Sequence, residues 1–164
     1  MKRHTIMSIE EIIDYMYKNG ECQTPDIIVN YMFLESYYNG NEVGKILYNK
    51  YYINSQNVCT DVNKWITKFE KLICSFENNG NLTKKNPILI SNGRYKFIRN
   101  GRHRIACCLY FNEKKLHVAL SNRYINRPKT LMVEDFGRMK QFTEEETKIL
   151  IDKCKGIHEK FRKR

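Results

Sequence analysis

Residues 100–104, N-G-R-H-R, combine side chains that are well suited to binding an anion. Arginine guanidinium groups form paired hydrogen bonds with phosphate oxygens, and an imidazole adds another donor. The glycine allows a positive φ or the close approach of a ligand to the backbone. Arg99 adds a positive charge directly before this segment. The same composition is found in charged turns, so the flanking elements must decide between the two interpretations.

The segment lies between a predicted strand and a predicted helix. RYKFIR (94–99) is strand-like, and RIACCLYFN (104–112) fits a short buried helix that begins just after the glycine. The first N–H groups of a helix lack intrahelical partners and carry the positive end of the helix dipole, so such a corner suits phosphate. The residues predicted to bind phosphate are Arg99, Gly101, Arg102, His103 and Arg104.

The elements around this corner predict an α+β fold. Apolar residues at three- and four-residue spacing indicate a helix over 62–78. PILI (87–90) and LHVAL (116–120) are strand-like, and the Ser-Asn-Gly at 91–93 predicts a hairpin turn after the first of them. We therefore expect a core with a small mixed sheet over 61–122.

Helical additions are predicted before this core. In the N-terminal part, 1–60, Ser8 and Glu11 have the spacing of a capping box at the start of a helix. The apolar segment DIIVNYMFLESYY predicts either a second helix or a buried extended piece. EVGKILYNKYY predicts a further helix despite its glycine. We expect the N-terminal part to be helical.

The C-terminal part, 123–164, is predicted to hold an irregular segment and then one long helix. Thr143 and Glu146 have capping-box spacing at the start of that helix, and its apolar residues form a stripe. The length of 164 residues favours a single domain over 1–164, and no low-complexity linker divides it.

Residues 69–120 resemble the ParB/sulfiredoxin-like superfamily. In that pattern a helix is followed by G…PI.V and a strand, a hairpin, a second strand, a glycine motif that opens a helix, and a closing strand. The motif is G-E-R-R-x-R-A in ParB-type proteins, which bind CTP. It is G-C-H-R in sulfiredoxins, which use ATP, and D-G-H-H-R in free-serine kinases, which use ADP. Gly101, His103 and Arg104 match the last two forms, and Ala106 matches a small helix residue.

The resemblance implies a nucleotide-binding protein. HRIACCLYFN is also similar to DGSHRLA-type proteins of bacterial surface-polysaccharide gene clusters. We expect an ATP- or ADP-dependent phosphotransferase that acts on a small hydroxyl metabolite, a sugar or an amino acid of a surface-glycan pathway. CTP is the other nucleotide used in the superfamily, and Mg²⁺ would be shared by the phosphate groups.

Two departures from the family motifs bear on catalysis. Arg102 replaces the sulfiredoxin cysteine, which excludes sulfinic-acid repair by that residue. Asn100 replaces the acidic residue of the kinase motif, and its amide can hydrogen-bond a substrate hydroxyl but cannot act as a base. The predicted catalytic residues are Asn100, His103 and Glu35. The resemblance to the kinases implies a glutamate base from an earlier segment, for which Glu35, Glu42 and Glu70 are available and no motif selects one. We favour Glu35 because burial in its aromatic-rich stretch could make its carboxylate a stronger base, and an ordinary surface glutamate is the alternative interpretation.

The net charge of +11, from 29 basic and 18 acidic residues, favours polyanionic or phosphorylated partners. A ParB-like DNA-binding or CTP-binding module is therefore one alternative function. A non-catalytic nucleotide sensor is another, because the base is not marked by any motif. No helix-turn-helix pattern follows residue 120, and no paired acidic residues indicate a nuclease.

Cysteine spacing and hydropathy narrow the chemistry further. No Cys-x-x-Cys pair or zinc-spaced Cys/His cluster occurs, so we predict no metal site in the protein itself. Cys107 and Cys108 are predicted to be small core residues. No stretch approaches the ~20 apolar residues of a membrane span, and the first residues lack the pattern of a signal peptide. We expect a soluble, cytoplasmic protein.

Overall fold

A computed structural model describes residues 2–19, 21–54, 61–92, 96–122 and 141–162. Within these ranges the chain forms a four-stranded mixed sheet, a two-stranded sheet whose strands have two residues each, and six α-helices. This confirms the predicted α+β class. The helices are α1 Ile9–Met16, α2 Pro25–Asn39, α3 Val43–Asn54, α4 Val62–Asn79, α5 Arg102–Tyr110 and α6 Glu144–Arg162. The strands are β1 Lys2–Ser8, β2 Tyr17–Lys18, β3 Glu21–Cys22, β4 Ile88–Asn92, β5 Lys96–Asn100 and β6 Lys115–Ser121.

The main sheet has the strand order β1-β6-β4-β5. β4 and β5 form the predicted hairpin, but the turn was predicted too early, because Ser91 and Asn92 belong to β4, with Ser91 opposite Phe97. β6 then returns parallel to β4, with Ile88 opposite Val118. A parallel return needs a crossover connection, and α5 lies in that connection between β5 and β6. The first turn of α5 therefore follows directly from the end of β5, as the strand-to-helix corner requires.

α5 is a core helix. Its residues from Ile105 to Leu109 are all completely buried, which agrees with the continuous apolar run in the sequence. Cys107 and Cys108 are two of them, so their predicted role as small core residues is confirmed. Burial raises the pKa of the Cys107 thiol to about 12. Because the thiolate is the reactive form, this cysteine is inert near neutral pH.

α2 lies at the centre of the helical layer. The segment predicted as either a helix or a buried extended piece is a helix, and residues 25–34 are all buried. A helix that is apolar on every side belongs inside a fold, here between α3 and α5. Gly40, with a φ of 73°, ends α2 in the left-handed conformation that glycine adopts without strain.

The N-terminal part, 1–60, was predicted to be helical, and this is wrong for its first residues. β1 pairs antiparallel with β6 without interruption, from Lys2 opposite Ser121 to Ser8 opposite Lys115. The sequence does not reveal this strand because its partner is distant in the chain. Its two apolar residues also differ in environment, since Ile6 is 54% exposed while the next residue is buried.

The local helix signals agree with the structure. Ser8 Oγ accepts a hydrogen bond from the Glu11 N–H, and the Glu11 carboxylate accepts one from the Ser8 N–H, which confirms the first capping box. Thr143 and Glu146 exchange the same two hydrogen bonds before α6. The helix predicted over 62–78 is α4. No helix of the described ranges combines the length and apolar character needed to cross a membrane.

Three parts of the sequence predictions lie outside the described residues. They are the third residue of the 91–93 turn, the first two residues of the 94–99 strand, and the irregular segment that begins at 123.

Candidate anion-binding site

The corner between β5 and α5 is built around Gly101. This residue is the N-cap of α5 and has a φ of 95°, in the left-handed region. Its N–H donates to the Asn100 Oδ1 at 2.6 Å, and its carbonyl accepts from the Ile105 N–H at 2.9 Å. A Cβ atom at this position would lie 3.2 Å from both Arg104 Nη2 and Ile88 Cγ1. The positive φ therefore favours glycine, and a Cβ atom would in addition require small shifts of Arg104 and Ile88.

Arg104 lies beside this glycine, against the start of β4. Its Nη1 donates to the Pro87 carbonyl oxygen at 3.3 Å, which is its one hydrogen bond within the described ranges. The side chain is half-buried, and desolvation lowers the pKa of its guanidinium. No carboxylate forms an ion pair with Arg104 in the part of the chain that the structure describes. A partly desolvated cation therefore lies at the positive end of α5, and most of its donors have no partner among the described residues.

Arg102, in contrast, is neutralised by the protein. Its Nη1 donates to Asp26 Oδ2 at 2.6 Å, and its Nη2 donates to the Ile98 carbonyl oxygen at 3.2 Å. Burial alone would lower the pKa of Arg102, but the Asp26 carboxylate outweighs it and the pKa is raised. Arg102 was predicted to bind phosphate, yet the structure directs its charge to α2. Its main contact is therefore structural.

Asp26 is a site residue that the sequence reasoning missed. It is 6% exposed, and its Oδ1 has no hydrogen-bond partner among the described residues. One turn later on α2, Asn30 Oδ1 accepts from the Tyr52 hydroxyl at 2.9 Å, while Asn30 Nδ2 is likewise without a described partner. The available signal was a single acidic residue within the otherwise uncharged run PDIIVNYMFL. Such a residue needs a partner when the run is buried.

Replacing Asp26 with alanine is expected to lower the free energy of unfolding by about 2 kcal/mol. The variant leaves the Arg102 guanidinium without its carboxylate. The loss should be smaller than that for a fully buried pair, because the Arg102 side chain is 37% exposed. Urea unfolding of Asp26→Ala and of the exposed control Asp14→Ala measures it. A loss no larger in Asp26→Ala than in the control would contradict a stabilising role for the pair.

His103 faces away from solvent, into a cluster of aromatic rings from α3 and α4. Its Nε2 lies 3.1 Å from the Tyr48 hydroxyl, and its ring meets that of Phe69 edge-on at 4.5 Å. Desolvation lowers the pKa of His103 to about 4. The ring is therefore neutral near pH 7 and contributes no positive charge to an anion. What His103 brings to the corner is its backbone N–H in the first turn of α5.

Of the other predicted site residues, Arg99 and Asn100 lie at the corner and Glu35 does not. Glu35 lies nine residues after Asp26 on α2, about 13 Å further along the helix axis. Its carboxylate pairs with Lys153 of α6 at 2.8 Å, where both line an open groove between the two helices. Arg99 is exposed at the end of β5, and Asn100 is exposed beside it. The structure thus brings together Asn100, Gly101 and Arg104, and leaves Glu35 elsewhere.

No group of three or more histidine, cysteine, aspartate or glutamate side chains within the described ranges has the arrangement of a metal site. Comparisons of the chain with protein-family models, with curated proteins and with solved structures found no match. The resemblance of residues 69–120 to the ParB/sulfiredoxin-like superfamily stays a prediction.

Proposed function

We propose that the protein binds a nucleotide through its phosphate groups at the β5–α5 corner and transfers a phosphoryl group from ATP or ADP to a small hydroxyl metabolite. The observation that carries this proposal is Arg104. Arg104 is a half-buried cation at a helix N-terminus. Among the described residues its guanidinium forms one hydrogen bond, to the Pro87 carbonyl oxygen. Burying a cation without a counter-ion costs free energy, which an anionic ligand would recover.

The corner offers two kinds of contact to phosphate. Arg104 supplies a forked donor, and the first N–H groups of α5 supply directed donors together with the helix dipole. Phosphoryl transfer depends mainly on positioning and charge neutralisation, which these groups provide. Mg²⁺ shared by the phosphates would add further neutralisation. Asn100, exposed at the corner, suits a hydrogen bond to the acceptor hydroxyl.

The same contacts favour a nucleotide over DNA. Of the basic side chains of 99–104, Arg102 is paired with Asp26, His103 is neutral, and Arg104 is half-buried. Arg99 remains as the exposed cation of this segment. DNA binding needs a row of accessible cations that neutralise several phosphates. A single recessed anion site is a better match to one nucleotide.

Isothermal titration calorimetry with inorganic tripolyphosphate, ATP, ADP and CTP in the presence of Mg²⁺ tests the proposed site. Arg104→Gln is expected to weaken tripolyphosphate and nucleotide binding about 10-fold or more, because a charged hydrogen bond is removed. Arg3→Gln is the matched control, since Arg3 is exposed on β1 at the opposite edge of the sheet. Equal affinities in the wild type and Arg104→Gln would contradict the site.

Phosphoryl transfer itself is tested separately, by following phosphate transfer to a panel of sugars and amino acids by ³¹P NMR. The proposal expects a phosphorylated product that depends on ATP or ADP. Tight nucleotide binding with no product over the whole panel would favour a non-catalytic nucleotide sensor instead.

A further inference from the structure

An aromatic cluster lies next to the first turn of α5. We define it as His103 of α5, Tyr48 and Tyr52 of α3, and Trp65 and Phe69 of α4. Tyr48 and Phe69 are buried and form its base. Tyr52 and Trp65 are only half-buried, so they form its outer side.

Three rings of the cluster are close to parallel. The Tyr52 and Trp65 ring centroids are 5.9 Å apart with planes 14° from parallel. His103 lies 5.9 Å from Tyr52 at 25°, and 6.1 Å from Trp65 at 21°. Near-parallel, offset rings are one of the usual aromatic packing geometries, and the buried Tyr48 and Phe69 rings also adopt it at 19°. What distinguishes Tyr52, Trp65 and His103 is that their planes share one orientation while all three residues are only half-buried.

Trp65 is the ring of this cluster that core packing explains least. The apolar stripe of α4 continues through Phe69, Ile73 and Phe76, all of which are buried. Trp65 is one turn earlier, where the stripe leaves the core, and it is half-buried. Its ring pairs within the described ranges are with Tyr52 and His103 of the cluster, and the Lys68 ammonium lies 5.6 Å from its ring centroid. An indole at this place keeps surface for a flat ligand.

We propose that Trp65, with Tyr52, stacks on the base of the nucleotide whose phosphates bind at the β5–α5 corner. This inference rests on the proposed function and extends it from the phosphates to the base. The two places are adjacent, because His103 belongs to both: its backbone is in the first turn of α5 and its ring is 6.1 Å from the indole. Stacking on aromatic rings tolerates different bases, because each base has a π face. The base should therefore add affinity more than selectivity.

Trp65 also provides a direct signal, because it is the one tryptophan in the sequence. If the base stacks on its indole, ATP should quench the tryptophan fluorescence of the full chain. Tripolyphosphate, which has no base, should not quench it. Quenching by both ligands to the same extent would overturn the inference, since the change would then come from the phosphates.

The affinities of the same two ligands give the decisive comparison. The wild type should bind ATP about 10-fold more tightly than tripolyphosphate. Trp65→Ala should remove this difference and leave tripolyphosphate affinity unchanged, while Trp65→Phe should keep part of it. Tyr38→Ala is the matched control, because Tyr38 is an exposed ring, stacked on Tyr110 at the other end of α5. It should keep the whole difference.

Each failure has a distinct meaning. If the wild type binds ATP and tripolyphosphate equally, or if Trp65→Ala weakens both by the same factor, base stacking is overturned and the phosphate site stands. If the wild type binds neither ligand, the proposed function fails and base stacking fails with it. Thermal unfolding of each variant shows whether a lost affinity reflects an unfolded chain.

Discussion

Replacing Gly44 with alanine is expected to destabilise the protein by roughly 4 kcal/mol or more, above the usual range for an overpacked core. Gly44 lies in α3, where that helix crosses α2. A Cβ atom there would lie 1.8 Å from the Met32 carbonyl oxygen and 2.6 Å from Ser36 Oγ. The first of these atoms belongs to backbone, so the two helices would have to separate. The separation would also break the hydrogen bond from the Gly44 N–H to Ser36 Oγ, at 2.7 Å.

The matched control is Gly156→Ala in α6. Gly156 is also a glycine inside a helix, but a Cβ atom there would meet nothing within 4 Å. Alanine should therefore stabilise this position by about 0.5–1 kcal/mol, because it costs less conformational entropy in a helix. Guanidinium chloride unfolding followed by circular dichroism compares the two variants. If Gly44→Ala were as stable as the wild type, this result would contradict the close approach of α2 and α3 at Gly44.

The crossing matters for the candidate site as well as for stability. α3 carries Tyr48 and Tyr52, which contact His103 of α5, while α2 carries Asp26, which pairs with Arg102. A folded Gly44→Ala protein with separated helices should therefore also bind nucleotide less tightly.

The second large effect is a loss of stability on mild acidification, caused by His103. Burial lowers its pKa from 6.5 to about 4. As the pH falls below 6.5, the unfolded chain takes up a proton on this histidine that the folded protein does not. The free energy of unfolding should therefore decrease between about pH 6.5 and pH 4, by up to about 3 kcal/mol, and His103 should contribute no further change below that range.

Urea unfolding at pH 7.5, 5.5 and 4.5 measures this dependence. His103→Gln removes the titrating group and keeps a polar atom near the Tyr48 hydroxyl, so its stability should depend much less on pH in this window. His4→Gln is the control, because His4 is exposed on β1. The pKa of Glu146 is lowered from 4.5, so its contribution to stability begins to be lost only near pH 4.5 and below, and it does so equally in the wild type and in His103→Gln. Parallel pH curves for the wild type and His103→Gln would show that His103 is not the cause.

Much of the local structure followed from the sequence. The capping boxes at Ser8 and Thr143 predicted the starts of α1 and α6, because a cap and the N–H groups that it satisfies lie within four residues of each other. The period of the apolar residues predicted α4, and two strand-like segments joined by a Ser-Asn-Gly turn predicted the hairpin of β4 and β5. The glycine of N-G-R-H-R predicted the corner before α5, where Gly101 adopts a positive φ that glycine accepts without strain.

The partners across the fold were not predictable in this way. β1 is stabilised by pairing with β6, a strand that is far from it in the sequence. Gly44 is favoured by the close crossing of α2 and α3, which helix propensity does not describe. Asp26 belongs to no sequence motif that would have indicated its ion pair with Arg102. Glu35 was predicted as a base because of its aromatic neighbours, but its carboxylate pairs with Lys153.

In the candidate site, too, the sequence predicted the local structure but not the long-range contacts. The sequence by itself determined that two arginines and a histidine follow a glycine at the start of a helix. The tertiary structure decided where each side chain points: Arg102 to Asp26, His103 into the aromatic cluster, and Arg104 beside Pro87. The physical reason is that consecutive helix residues are about 100° apart around the axis and so meet different neighbours. The charge available to a ligand therefore depends on the elements that surround α5.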